Sequence, residues 1–201
     1  MSTQPQTTVD LIRHGEPVGG SKYRGGTDDP LSERGWQQMR EATAEPGPWE
    51  AIVSSPLRRC HGFALELGER LGLAVDVDPR IREVGFGAWE GRTGEEIRQA
   101  DPLALQRFYH DPVNQRPAGA EPLQHFQARV AEALEAVVAR HAGRHILLVT
   151  HAGVIRAAIA HVLSAPLAAI YRTHVDNAAL TRLQASGERP LSLIYHGRRK
   201  T

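Results

Sequence analysis

The sequence predicts an α/β fold, a three-layer α/β/α sandwich with a mostly parallel sheet. Short β-like runs alternate with helical patterns through most of the chain, which is how a parallel sheet covered by helices on both faces is built. The run His145-Ile146-Leu147-Leu148-Val149-Thr150 is apolar through its centre, as a strand buried on both sides must be. No linker divides the chain, so its 201 residues are expected to form a single domain over 1–201. A chain of this length buries roughly 70 % of its unfolded surface, enough for a core without metal or disulfide staples.

Each element has its own signal. Val9-Asp10-Leu11-Ile12 is a strand that stops at Arg13-His14-Gly15. Gly19, Gly20, Gly25 and Gly26, followed by Asp28-Asp29-Pro30, make the next segment a long loop; loops beyond roughly 12–15 residues in compact domains are usually functional or disordered. Ser32 is an N-cap with Glu33 in the first turn, and Trp36 and Met39 start a helix reaching Ala44, ended by Pro46-Gly47-Pro48. Ala51 to Ser54 is a second strand, and Pro56 opens the helix that follows. Its buried stripe is Leu57, Cys60, Ala64, Leu67 and Leu71, and Gly72 closes it. Ala74 to Val77 is a short third strand, residues 79–94 are a second loop, and short helices cover 93–110 with a break at Asp101-Pro102. Leu123, Phe126, Val130, Leu134, Val137 and His141 line one face of the best amphipathic helix. After the His145 strand, Val154, Ile155, Ile159 and Val162 mark another helix. Ala178 to Leu183 and Leu191 to Tyr195 finish the sheet, and Gly197 to Thr201 is expected to fray.

Composition excludes several function classes. Lys and Arg total 24 against 23 Asp and Glu, a net charge of +1, whereas a dedicated nucleic-acid binder needs a strong basic excess. Cys60 is the only cysteine, which rules out an internal disulfide or a cysteine-rich metal site. No run approaches the 18 apolar residues of a membrane span, and Met1 to Thr8 lacks the pattern of a secretory signal. The expectation is a cytoplasmic protein with no nucleic-acid or membrane partner.

Two histidines stand at the carboxyl ends of strands, His14 in Arg13-His14-Gly15 and His151 in Thr150-His151-Ala152-Gly153. Ligands of open α/β sheets sit outside such ends, so both imidazoles should reach one crevice. A third strand end, Ser54-Ser55-Pro56-Leu57-Arg58-Arg59, brings two arginines to a helix start, a natural anion site. Both also read as solvated charge, Arg58 more so. Glu83 lies in the glycine-rich stretch Glu83-Val84-Gly85-Phe86-Gly87-Ala88-Trp89-Glu90-Gly91. A carboxyl group beside apolar walls and a dianionic ligand has its pKa raised and can donate a proton.

These segments resemble the histidine phosphatase (phosphoglycerate mutase-like) superfamily. The likeness is carried by Leu11-Ile12-Arg13-His14-Gly15-Glu16, Ser54 to Arg59, Ile81 to Gly91, and Val149-Thr150-His151-Ala152-Gly153-Val154-Ile155-Arg156, in the family's order and spacing. The resemblance implies a phosphoglycerate mutase-like fold, His14 as a nucleophile that becomes phosphohistidine, and Arg13, Arg59 and His151 as phosphoryl ligands. Arg59 rather than Arg58 matches the Ser-Pro-Leu-x-Arg pattern. Glu83 is implied as the acid that protonates the leaving oxygen and then activates water. Attack requires neutral His14, and the neighbouring positive groups should keep it so. They also spread over the phosphoryl oxygens, where other phosphoryl-transfer enzymes use magnesium. No metal and no cofactor are expected.

Departures bear on the substrate. Gly20 stands where relatives usually carry Asn, so a phosphate donor is missing or is supplied by the Gly19–Gly20 backbone. Tyr23-Arg24-Gly25-Gly26-Thr27 to Leu31 looks most like the α-ribazole-5′-phosphate phosphatases of cobalamin biosynthesis. There Arg24 would add a phosphate contact and Tyr23 would stack on a flat leaving group, unless it simply packs the loop. Thr27 and Ala152 complete the candidate substrate contacts. Pro117 to Pro122 is a worn form of a family block. The expected partner is a small-molecule phosphate ester, and a homodimer stays open. The alternatives are a sugar-phosphate or phosphoglycerate phosphatase or mutase, with hydrolysis favoured by the short chain, or a non-catalytic phosphate-binding module. His141 and His145 are not expected to share a metal, and Cys60 reads as core.

Overall fold

Alternation along the strands decides which helix covers which face of the sheet. The computed structural model describes residues 6–45, 47–187 and 189–198. Among them the strands are β1 (Gln6–Arg13), β2 (Ala51–Ser54), β3 (Val75–Val77), β4 (His145–Thr150), β5 (Leu180–Ser186) and β6 (Arg189–Arg198). They form one sheet in the order β3-β2-β4-β1-β5-β6. The first four run parallel, and β5 lies antiparallel between β1 and β6. The helices are α1 (Glu33–Ala42), α2 (Arg58–Leu71), α3 (Gly94–Ala100), α4 (Ala104–His110), α5 (Leu123–Arg140) and α6 (Ala152–Val162).

Val9 and Leu11 of β1, with Ile146 and Leu148 of β4, pack against Phe126, Val130 and Leu134 of α5 and Ile155 and Ile159 of α6. Ile12, Leu147 and Val149 point the other way, onto Met39 of α1 and Cys60, Phe63 and Leu67 of α2. Period-two alternation therefore yields the three predicted layers. Each fully buried Leu, Ile, Phe or Met contributes roughly 1.5–3 kcal/mol. Helix ends follow local chemistry: the Ser32 hydroxyl accepts from Gly35 N at 3.0 Å, and Gly72 closes α2 with a positive φ of 67°.

Several boundaries differ from the sequence reading. Pro56 precedes α2, which starts at Arg58 after Leu57 as N-cap, and α1 stops at Ala42. The second loop contains two single turns of 3-10 helix, Pro79–Ile81 and Gly87–Trp89, and a third 3-10 segment, Leu167–Arg172, carried no sequence signal. The last two strands run on to Ser186 and Arg198, so Gly197 and Arg198 are strand; residues 199–201, like Pro46 and Met1 to Pro5, lie outside the described residues. No helix among the described residues is long and apolar enough to cross a membrane.

One polar residue interrupts the buried part of β1. Asp10 is 1 % exposed and accepts hydrogen bonds from Arg182 (2.7 and 2.9 Å), Trp49 Nε1 (2.9 Å) and the His145 ring (2.9 Å). Burial opposes its charge, but these partners prevail and hold its pKa at about 2. A carboxyl group lowered in the fold stabilises it above the ordinary value near 4, and that contribution is lost as pH falls toward 2. We expect Asp10→Asn to cost roughly 2–3 kcal/mol at neutral pH. In urea denaturation the gap from the native chain should close as pH drops from 4 to 2; a gap independent of pH would show that the charge is not the cause.

Candidate active site

Strand register sets the site. Arg13 lies opposite Thr150, and Ser54 opposite Val149, so His14, His151 and Ser55 leave the sheet at one level. The ladder runs one step further: His14 N donates to Thr150 O at 2.9 Å and Ser55 N to Val149 O at 3.0 Å. The chain leaves β1 toward the α1 face and β4 toward the α6 face. Adjacent parallel strands whose connections part in this way open a crevice between them. The two imidazoles meet there with ring centres 5.2 Å apart and planes at 66°.

Both rings are buried, and burial is the first reason their pKa values lie well below 6.5. Arg59 and Arg13 push in the same direction. The sequence reading credited neighbouring charge alone; desolvation is the larger cause. His14 Nδ1 stands 2.7 Å from Gly15 O. A carbonyl can only accept, so Nδ1 carries the proton, and a neutral ring then keeps its lone pair on Nε2.

Arg59 is fully buried at the start of α2. Its Nη1 donates to Thr27 O at 2.7 Å and its Nη2 to Gly25 O at 3.1 Å. Arg13 Nη1 donates to Val175 O at 2.7 Å, and burial, reinforced by Arg156 and Arg59, lowers its pKa to about 10. The Nε atoms of both arginines are buried without a hydrogen-bond partner. Two unsatisfied cationic donors beside two neutral imidazoles form a pocket whose missing counterpart is an anion.

Glu83 comes to the site from its own loop, where its charge acts on Arg13. Its carboxylate accepts from Val84 N at 2.9 Å and from Gly153 N at 3.1 Å in the first turn of α6. A Cβ at position 153 would collide with Glu83 Oε1, so only glycine permits this approach. Arg129 of α5 donates to Arg82 O and Glu83 O at 2.8 and 3.2 Å. It is paired with Glu121, which also accepts from Gly85 N. The worn 117–122 block thus anchors the Glu83 loop.

A model of the histidine phosphatase superfamily (branch 1) matches residues 9–195. The chain belongs to that superfamily. It is 32 % identical over 189 residues to phosphoserine phosphatase 1 of Hydrogenobacter thermophilus, covering 91 % of this chain and 89 % of that protein. Among solved structures, a mycobacterial glucosyl-3-phosphoglycerate phosphatase superposes with a TM-score of 0.86 at 31 % identity, covering 96 % of this chain and 99 % of that one. The α-ribazole phosphatase of Shigella flexneri gives 0.83 at 25 %, covering 96 % of each chain. The chain spans about half the length (49 %) of three mycobacterial relatives that it matches at 33 % identity over 180 residues.

In this superfamily member the structure brings Arg13, His14, Arg59, Glu83 and His151 within reach of one another's charge, with Ala152 buried at the first position of α6. The other expected contacts have different neighbours. Arg24 is tied into its own loop through Asp29 Oδ2, Gly20 O and Val18 O at 2.6–2.7 Å, so Gly20 offers its carbonyl to an arginine. Thr27 Oγ1 donates to Glu90 at 2.6 Å. Tyr23 packs edge-on against Phe86 and Trp89, its hydroxyl 2.8 Å from that of Tyr109. Arg58 is exposed. The sequence reading missed Glu90, whose carboxylate gathers the N–H groups of Gly25, Thr27 and Phe86; its signal was an acid ending the block that begins with Glu83. It also missed Ser55, 2.7 Å from His151 Nε2. Cys60 is core, yet its sulfur touches the His151 ring at 3.5 Å, and burial pushes its thiol pKa strongly up.

Among the described residues no cluster of three or more His, Cys, Asp or Glu side chains could hold a metal ion. His145 is bound to Asp10 instead of sharing a face with His141. A separate cavity of about 360 Å³ lies between β3 and α5, lined in part by His141 and by none of Arg13, His14, Arg59, Glu83 or His151; its charges pair among themselves, Asp76 with Arg140 and Asp78 with Arg80.

Because His14 and His151 resist protonation in the fold, the unfolded chain binds more protons below pH 6.5, and stability must fall with pH from there. In nitrogen NMR of the free protein both rings should remain neutral at pH 6, with His14 Nε2 unprotonated. Either ring titrating near 6.5 would contradict the buried pocket.

Proposed function

We propose that the chain hydrolyses a small phosphate monoester through a phosphohistidine at His14, without a metal ion. One observation carries this: two buried arginine Nε donors without partners flank an imidazole whose proton is fixed on Nδ1. The Nε2 lone pair forms the N–P bond while the bond from phosphorus to the leaving oxygen breaks. Arg13, Arg59 and His151 take up charge on the phosphoryl oxygens, the role a divalent ion plays elsewhere. Glu83 gives its proton to the leaving oxygen, then accepts one from the water that attacks phosphorus. The joint presence of all five groups argues against a non-catalytic module.

For the leaving group, a carboxylated alcohol fits better than α-ribazole. Tyr23, expected as the platform for an aromatic leaving group, packs edge-on against Phe86 and Trp89 and meets Tyr109 through its hydroxyl, which supports a role in packing its own loop. Two further cations stand around the same group of residues, both acting with Glu83 on Tyr171. Arg116 donates to Gly85 O at 3.0 Å, with its Nε buried and unpartnered, and Arg156 acts on the charge of Arg13. The names of the phosphoserine and glucosyl-3-phosphoglycerate phosphatases among its relatives support the same choice.

The test is kcat/KM with excess chelator across phosphoserine, phosphoglycerates, α-ribazole-5′-phosphate and an activated aryl phosphate. We expect turnover to survive chelation and the carboxylated esters to lead. Glu83→Gln should slow alkyl esters by roughly 10²–10⁴-fold and the aryl ester far less. Equal slowing of both would contradict the acid role, and α-ribazole-5′-phosphate in the lead would overturn the leaving-group reading.

A further inference from the structure

We propose that Ser55 is a positioning residue: its hydroxyl donates to His151 Nε2 and thereby holds the ring as the tautomer that presents Nδ1–H to the phosphoryl oxygens. This rests on the phosphatase reading only for the identity of the anion; the proton assignment follows from the contacts.

A neutral imidazole has one N–H, and the partner of one nitrogen dictates the role of the other. His151 Nε2 lies 2.7 Å from Ser55 Oγ; Nδ1 has only the weakly accepting sulfur of Cys60, at 3.7 Å, so it is the nitrogen with a proton to offer a ligand. The contact is a hydrogen bond in either direction, and the surroundings decide which. Ser55 Oγ already accepts from Leu57 N at 3.3 Å, which occupies one lone pair and leaves the hydroxyl proton to be placed. Cys60 Sγ is the other polar atom beside the ring, 3.5 Å from Nε2 and 3.7 Å from Nδ1, but it stands 3.4 Å from Thr150 O, an acceptor only, so the thiol proton is directed there and neither ring nitrogen receives it. Ser55 also reaches the Cys60 sulfur, a much weaker acceptor than an imidazole nitrogen. The hydroxyl proton therefore goes to Nε2. Burial and the flanking arginines keep His151 neutral in the free protein, which makes the tautomer matter. With the proton on Nε2 instead, Nδ1 would turn a lone pair toward the anion and repel it.

Position 55 is rigidly set for this task. Ser55 N is bound to Val149 O, the residue is fully buried, and it directly follows β2 while His151 directly follows β4. The strand register that gathers the catalytic groups thus also brings the hydroxyl to the ring.

The experiment uses the whole chain labelled with ¹⁵N-histidine, with inorganic phosphate as the probe. In the native protein at pH 7.5, His151 should show a protonated Nδ1 and an Nε2 that accepts a hydrogen bond. Ser55→Ala should shift the ring toward Nε2–H, weaken phosphate binding and lower kcat/KM. Both losses should be roughly 10–100-fold, the range seen when a partner that orients an imidazole is removed. Ser55→Thr keeps the hydroxyl and should restore tautomer and affinity together. A native His151 with Nε2–H overturns the proposal even if Ser55→Ala fails to fold. So does a folded Ser55→Ala with unchanged tautomer and phosphate affinity. A chain that hydrolyses no phosphate ester yet shows the Nδ1–H tautomer and its loss in Ser55→Ala would sink the phosphatase mechanism and leave the Ser55 assignment standing.

Discussion

Arg59 is a cation with no exposed surface, and much of the site follows from how the chain tolerates it. An uncompensated buried charge is prohibitive, so its donors must be met. Two are met by the carbonyls of Thr27 and Gly25, which forces the 25–27 segment down over α2. That turns the N–H groups of Gly25 and Thr27 toward Glu90, whose carboxylate is held low in pKa by these bonds against burial. The long glycine-rich loop is thus clamped by a cation on one side of its backbone and an anion on the other. Gly25 is needed because a Cβ there would collide with Val84 O and Glu90 Oε1.

The neighbouring imidazoles are neutral first because they are buried, and the cations beside them reinforce this. Neutrality makes His14 a nucleophile and makes the tautomer of His151 a property that the fold has to specify. Glu83 is held at the edge of this cluster by its attachment to the first turn of α6, close enough to act on the charge of Arg13. It faces the pocket from a separate loop whose position depends on Arg129 and Glu121.

Much of this was legible in the sequence because it is written in period and in position. The strands β2 and β4 coincide with their apolar runs, α3 and α4 fall on either side of the predicted break at Asp101-Pro102, and the site histidines are marked by the strands they terminate. What was hidden depends on contacts between distant segments. Asp10 looked like an ordinary member of a strand, and its buried network needs Trp49, His145 and Arg182 from three other places. The orientation of β5 is not encoded in its alternation, which is equally consistent with parallel pairing. Arg24 and Tyr23 have the chemistry of ligand contacts, but residue type does not reveal that Asp29 and two carbonyls, or an aromatic cluster, already surround them. Ser55 was lost beside the arginines because a serine's role depends on which atom meets its hydroxyl.

The central claim is that a neutral His14 accepts a phosphoryl group inside a pocket of buried cations. Rapid acid-free quenching of the chain during turnover of a labelled phosphate ester tests it directly. The account requires up to one base-stable, acid-labile phosphoryl group per chain, attached to His14 and absent from His14→Ala. Inorganic phosphate accumulating at full rate with no covalent phosphate at any time, or with phosphate on another side chain, would contradict it.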